Sequence, residues 1–222
     1  MMLGKSSMDL VLVPCALAVM VGYHLLLLYR IFRRPHTTVI GYENHNKLAW
    51  VQRMARTAEP EEVALALSVI SDGISASITL ASLCIALASL IGAWVSSGAG
   101  GASDAPAAKY AWLLACFLAS FTCFVQSAGC YVHASFLISA LGSDAPASHL
   151  PRAVLRGGGF WAAGLRTLYL ATALLVWDVF GPAAMLACSA LTVAVLYLLD
   201  GNSMPPHRHQ FLTTAGPSCS PS

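Results

Sequence analysis

Between residues 110 and 142 the chain runs for 33 positions without an Asp, Glu, Lys or Arg. Wound as a helix at 1.5 Å per residue, that stretch reaches about 50 Å, more than the ~30 Å hydrocarbon core of a bilayer. Three further apolar blocks, at 10–32, 74–95 and 168–199, have the same character. Of the 222 residues, 57% are hydrophobic and 10% charged, with a mean hydropathy of +0.69, so a soluble domain of this composition could not cover its own surface. This excludes a soluble enzyme, a secreted disulfide scaffold and a nucleic-acid binder driven by bulk charge. The net charge of +2 is too small to imply a polyanionic partner.

The first span, over 10–32, follows Ser6-Ser7-Met8-Asp9, a capping box, and carries Pro14 in its early turns, where a missing N–H costs least. It ends in Tyr29, Arg30, Phe32, Arg33 and Arg34 instead of a small-residue cleavage site, and so reads as a retained signal anchor. Pro60-Glu61-Glu62 opens the second helix with a proline and two acids, suited to the positive end of a helix dipole. Residues 63–73, with Ser68, Ser71, Asp72 and Gly73, read as a surface-lying section before the span proper at 74–95. The third span is drawn at 110–134. The last block, 168–199, is over-long and interrupted by Asp178 and Gly181-Pro182. It can be one long kinked helix or two short helices joined at the glycine-proline step; the kinked helix is favoured, because two residues make a poor connection between membrane helices and each half alone is barely long enough. The expected architecture is an all-α polytopic membrane protein: a four-helix transmembrane bundle with helices extending beyond the bilayer, then a disordered polar tail over 201–222.

Lysines and arginines orient such a bundle. The loop after span one carries Arg30, Arg33, Arg34, Lys47, Arg53 and Arg56, and the loop after span three carries Arg152, Arg156 and Arg166. The other side has Lys5, Lys109 and Arg208. Nine against three places both basic loops in the cytosol and both termini outside it, in the plasma membrane or an endomembrane.

Several stretches together resemble a plant membrane-protein family catalogued as domain of unknown function 599. They are Met8-Asp9-Leu10-Val11-Leu12-Val13-Pro14 with Gly22-Tyr23-His24, Pro35-x-Thr37-Thr38-x-x-Gly41, and Trp50-Val51-x-x-Met54. Near the end come Gly159-Phe160, Gly164-x-Arg166-x-x-Tyr169, Trp177, Phe180-Gly181-Pro182 and Leu196-Tyr197-x-Leu199-Asp200. The resemblance implies a four-helix membrane protein without an established activity. Where similar proteins show Gln-Thr-x-Arg-Asn entering span two, this chain has Ser68-Val69-Ile70-Ser71-Asp72, and Gly129 stands near an arginine position of span three. Asp178 occupies a place that is apolar in similar proteins.

Ionisable residues at membrane depth are expensive, which makes His24, Asp178 and His133 the candidate intramembrane polar site. Asp178 can pair with either histidine, stay protonated or face a wet crevice at Gly181-Pro182. Since the arginines of similar proteins are absent here, Asp178→Leu is expected to be neutral or stabilising. Arg30, Arg33, Arg34, Trp50 and Arg53 are the expected membrane-surface contacts, with a short helix over 46–57 lying on the bilayer. Cys116, Cys123 and Cys130 recur every seven residues as a packing stripe with Ala119, Ser120 and Ser127. Arg156-Gly157-Gly158-Gly159 reads as a hinge. The seven cysteines form no zinc-spaced set, His207-x-His209 lies in the polar tail, and no metal, cofactor or disulfide framework is expected. No nucleophile, base or metal set marks an intramembrane enzyme. The expected function is a structural or interaction protein whose cytosolic loops bind lipid or a partner, as a homo-oligomer or with another membrane protein, and without nucleic acid. The alternative is an oligomeric transporter or channel for a proton or small solute, with His24, Asp178 and the Gly181-Pro182 break along its path.

Overall fold

The computed structural model describes residues 3–33, 38–57, 59–97, 107–140 and 149–200. They form six helices: α1 (Leu3–Arg33), α2 (Val39–Thr57), α3 (Pro60–Ser96), α4 (Ala107–Ser139), α5 (His149–Phe180) and α6 (Pro182–Asp200). No strand occurs among the described residues. Five helices, all but α2, are long and apolar enough to cross a membrane. The all-helical membrane class is as the sequence indicates, but the count of four is corrected to five.

The correction lies at Gly181-Pro182. Gly181 adopts φ +91°, a left-handed conformation that glycine enters without a Cβ clash. Its N–H still bonds the Trp177 carbonyl at 3.0 Å while its own carbonyl accepts from Met185 at 3.2 Å, so one residue closes α5 and opens α6. Pro182 suits the first position of the new helix. Arg166 and Asp200 then meet at 2.6 Å, whereas 34 residues of continuous helix would hold them roughly 50 Å apart. The break is therefore a reversal, and α6 returns antiparallel to α5.

Principal neighbours run α3, α4, α5, α6, α1. Ser77 meets Ser127 between antiparallel α3 and α4, and Lys109 meets Asp178 between antiparallel α4 and α5. Helices α4 and α5 come close at two levels because glycine leaves room. A Cβ on Gly164 would stand 2.8 Å from the Phe124 ring, and one on Gly157 2.9 Å from Tyr131. The expected hinge at 156–159 is thus uninterrupted helix whose glycines admit aromatic rings from α4. The cysteine stripe flanks the contact: Cys116, Cys123 and Cys130 are half-buried, while Phe117, Ser120, Phe124 and Ser127 are fully enclosed.

Helix α3 is also continuous from Pro60, so residues 63–73 are part of one 37-residue helix and not a separate surface section. At about 55 Å it must project well beyond a bilayer. Its projecting end, with the ends of α4 and α5, builds a second core around Val51, Met54, Ala66, Ile70, Ala134, Ile138, Leu150 and Val154. Helix α2 closes this cap. It starts earlier than the expected 46–57 because Thr38 caps it, its hydroxyl accepting from Gly41 N–H at 3.2 Å. The main core, around Cys84, Leu113, Phe117, Phe124, Ala171 and Met185, lies nearer the opposite end. Leu25, Leu26, Leu83, Leu90, Leu118, Leu191 and Leu198 face outward, as a hydrocarbon solvent requires.

Candidate functional site

Three polar constellations interrupt this apolar bundle. The first joins α1 to the α5–α6 hairpin. Tyr23 donates its hydroxyl to Asp200 Oδ2 at 2.5 Å, and Arg166 Nη2 donates to Asp200 Oδ1 at 2.6 Å. The Arg166 and Asp200 side chains are 17% and 11% exposed. Asp200 is the last residue of α6, where the negative end of the helix dipole disfavours a carboxylate, so the guanidinium and phenol offset both burial and dipole. Leu27, Leu196, Ile31, Ile40, Tyr169 and Val193 pack around the cluster's outer side.

His24 sits beside this cluster with its ring edge-on to Tyr23, the centroids 5.6 Å apart. Its Nδ1–H donates to the Met20 carbonyl at 2.6 Å, one turn earlier. It lines a cavity of about 210 Å³ between α1 and α5, with Met20, Val21, Leu25, Arg166 and Leu170.

The second constellation closes the far end of the bundle. Lys109 Nζ lies 2.9 Å from Asp178 Oδ1, the two side chains being 15% and 5% exposed, and 4.5 Å from the centroid of the Trp177 ring. Trp177 Nε1 donates to Asp9 at 3.4 Å, which ties α1 to the α4–α5 pair. A buried carboxylate thus has a cation, and the cation has an aromatic face.

The third lies on the cap. Val51 and Met54 turn inward, 1% and 3% exposed, while Tyr42, Glu43, His45, Asn46, Gln52 and Arg53 are exposed. Trp50 is half-buried and packs against the cap core, and Glu43 and Lys47 pair at 2.7 Å one turn apart. Arg33, Arg152 and Arg156 are exposed at the same end, and Arg30 is half-buried.

These placements separate residues that the sequence reading considered together. Asp178 pairs with Lys109 at one end, His24 stands about 15 residues, or ~22 Å, further along α1 from Asp9, and His133 is exposed on α4 near the cap. The three do not converge. Of the surface residues, Arg33 and Arg53 are exposed, Trp50 faces the cap, and Arg34 lies outside the described residues, as does the tail with His207 and His209. Among the described residues no group of three His, Cys, Asp or Glu side chains is placed to hold a metal.

Tyr23, Arg166 and Asp200 were not singled out by sequence chemistry, and Arg166 was counted as a loop charge. One signal was available: all three fall inside the stretches that carry the family resemblance, at the edges of apolar blocks. Lys109 gave no such signal. No curated protein and no solved structure matches the chain. A family model described as "Protein of unknown function, DUF599" matches residues 11–205, and the chain belongs to that family.

Proposed function

We propose that this protein is a non-catalytic five-span membrane scaffold that holds a lipid- and partner-binding cap against the cytosolic leaflet. The observation that carries the reading is the cap itself: α2 is pinned by Val51 and Met54 and turns a polar face outward beside the exposed Arg33, Arg152 and Arg156. Five crossings send the two termini to opposite sides. With Arg166 committed to Asp200, nine of the twelve Lys and Arg residues belong by chain position to the cap end, leaving Lys5 and Lys109 at the other. That bias favours a cytosolic cap and C-terminus with the N-terminus outside. Each exposed basic side chain near an anionic leaflet contributes about 1 kcal/mol.

The interior supports a scaffold over a transport path. Cys84, Phe117, Ala171 and Met185 are fully enclosed between the levels of the Lys109–Asp178 pair and the Tyr23–Asp200–Arg166 cluster. Lys109 offsets Asp178 and Arg166 offsets Asp200, and among the described residues no charged side chain lies between the two pairs.

The test is thermal unfolding in nanodiscs of neutral or phosphatidylserine-containing lipid over a range of salt. Anionic lipid is expected to raise Tm, the gain should fade by about 0.5 M salt, and a variant with Arg33, Arg53, Arg152 and Arg156 replaced by Gln should lose it. Equal Tm values in both lipids would overturn the reading.

A further inference from the structure

Beneath α2, against α3, α4 and α5, lies a cavity of about 360 Å³. Its polar wall is the Glu43–Lys47 ion pair with the Asn46 amide, its aromatic wall is Trp50 and Tyr131, and the remainder is valine, isoleucine and glycine. The frame is held on several sides. Tyr131 lies between two glycine positions, where a Cβ on Gly73 would stand 3.4 Å and one on Gly157 2.9 Å from its ring. Lys47 Nζ rests against α5, 2.9 Å from where a Cβ on Gly158 would be.

The ion pair leaves binding capacity unused. An ammonium has three N–H donors, of which Glu43 takes one, and the Glu43 side chain is 56% exposed with further lone pairs to offer. The charged lining sums to zero, so the site has no net attraction for an anion. Its complement is a ligand carrying both charges, the anion against Lys47 and Asn46, the cation against Glu43 and the aromatic faces.

The depth of the cavity indicates where such a ligand comes from. Taking the Lys109–Asp178 pair as one edge of the hydrocarbon core, ~30 Å corresponds to about 20 residues, reaching roughly residue 129 on α4 and residue 158 on α5. Tyr131 and Val154, which line the cavity, stand just past those positions, at headgroup level.

We propose that this cavity binds the headgroup of one zwitterionic phospholipid, of the phosphocholine or phosphoethanolamine class. The site rests on the membrane placement of the bundle but not on the attraction of the exposed arginines for anionic lipid.

The full chain, purified in an uncharged maltoside detergent, can be titrated with phosphatidylcholine or phosphatidylglycerol and followed by native mass spectrometry and thermal unfolding. In the four-arginine variant, where the exposed basic patch no longer holds anionic lipid, one phosphatidylcholine per chain is expected to be retained and to raise Tm, with phosphatidylglycerol bound at least about tenfold more weakly. Glu43→Lys, at an exposed position, should reverse that preference, and Lys47→Met, which keeps the stem against α5, should weaken phosphatidylcholine. Should Lys47→Met fail to fold, Glu43→Lys alone decides. Equal binding of both lipids by the four-arginine variant, or an unchanged preference when Glu43→Lys is added to it, would overturn the site. Glycerophosphocholine, the same headgroup without chains, should stabilise less than the lipid, and an equal effect would overturn the lipid assignment in favour of a soluble phosphodiester. The four-arginine variant should retain phosphatidylcholine, so failure of the anionic-surface reading is distinguishable from failure of this one.

Discussion

Arg166 and Asp200 stand 34 residues apart along the chain and 2.6 Å apart in space, and that contact requires α6 to fold back along α5. Tyr23 adds α1 to the same carboxylate. One acidic side chain thereby fixes the relative height of three helices that otherwise meet through apolar contacts, which tolerate sliding more readily than a charged hydrogen bond does.

Asp200→Leu is expected to destabilise the bundle by about 2–3 kcal/mol, because it strands the mostly buried Arg166 guanidinium. In Arg166→Leu/Asp200→Leu no charge is left unpaired, so much of the loss should return. Reversible unfolding of the four corners of this cycle measures the coupling, and additive single effects would refute the linkage.

Asp178→Leu is expected to lower Tm, the reverse of what the sequence alone suggested. The sequence reading treated Asp178 as an isolated carboxylate, but Lys109 sits 2.9 Å away and its side chain is only 15% exposed. Losing the carboxylate leaves a buried ammonium without its counter-charge, worth about 3 kcal/mol. Adding Lys109→Met should restore most of the stability. A Tm of Asp178→Leu at or above the wild-type value would show the pair to be unimportant.

Substitutions along the α5 glycines should divide sharply. Gly164→Ala places a methyl 2.8 Å from the Phe124 ring and is expected to cost about 1–3 kcal/mol. Gly159→Ala meets nothing within 4 Å and, inside a helix, should be neutral or gain up to ~1 kcal/mol. Thermal unfolding of the two variants side by side tests whether α4 and α5 approach as closely as their glycines permit.

Single cysteines introduced at positions 5 and 215 of a cysteine-free background should label from opposite faces of sealed vesicles, the first from outside and the second from the cytosolic side. Labelling of both from one face would restore an even number of crossings.

Composition and periodicity were enough to establish an all-helical membrane chain, to place its apolar blocks and to start α3 at Pro60, because each of these follows from local chemistry and bilayer thickness. Gly181-Pro182 marked a break but not its angle: a kinked helix and a hairpin present the same apolar periodicity, and only the packing of α6 on α1 and α5 distinguishes them. The partners of Asp178 and Asp200 were equally hidden. Lys109 lies 69 positions from Asp178, and Tyr23 lies 177 from Asp200. A buried charge announces from sequence that it needs a partner, but which partner it finds depends on how antiparallel helices align in height; between α4 and α5 that alignment is set by the rings of Phe124 and Tyr131 settling over glycines on α5.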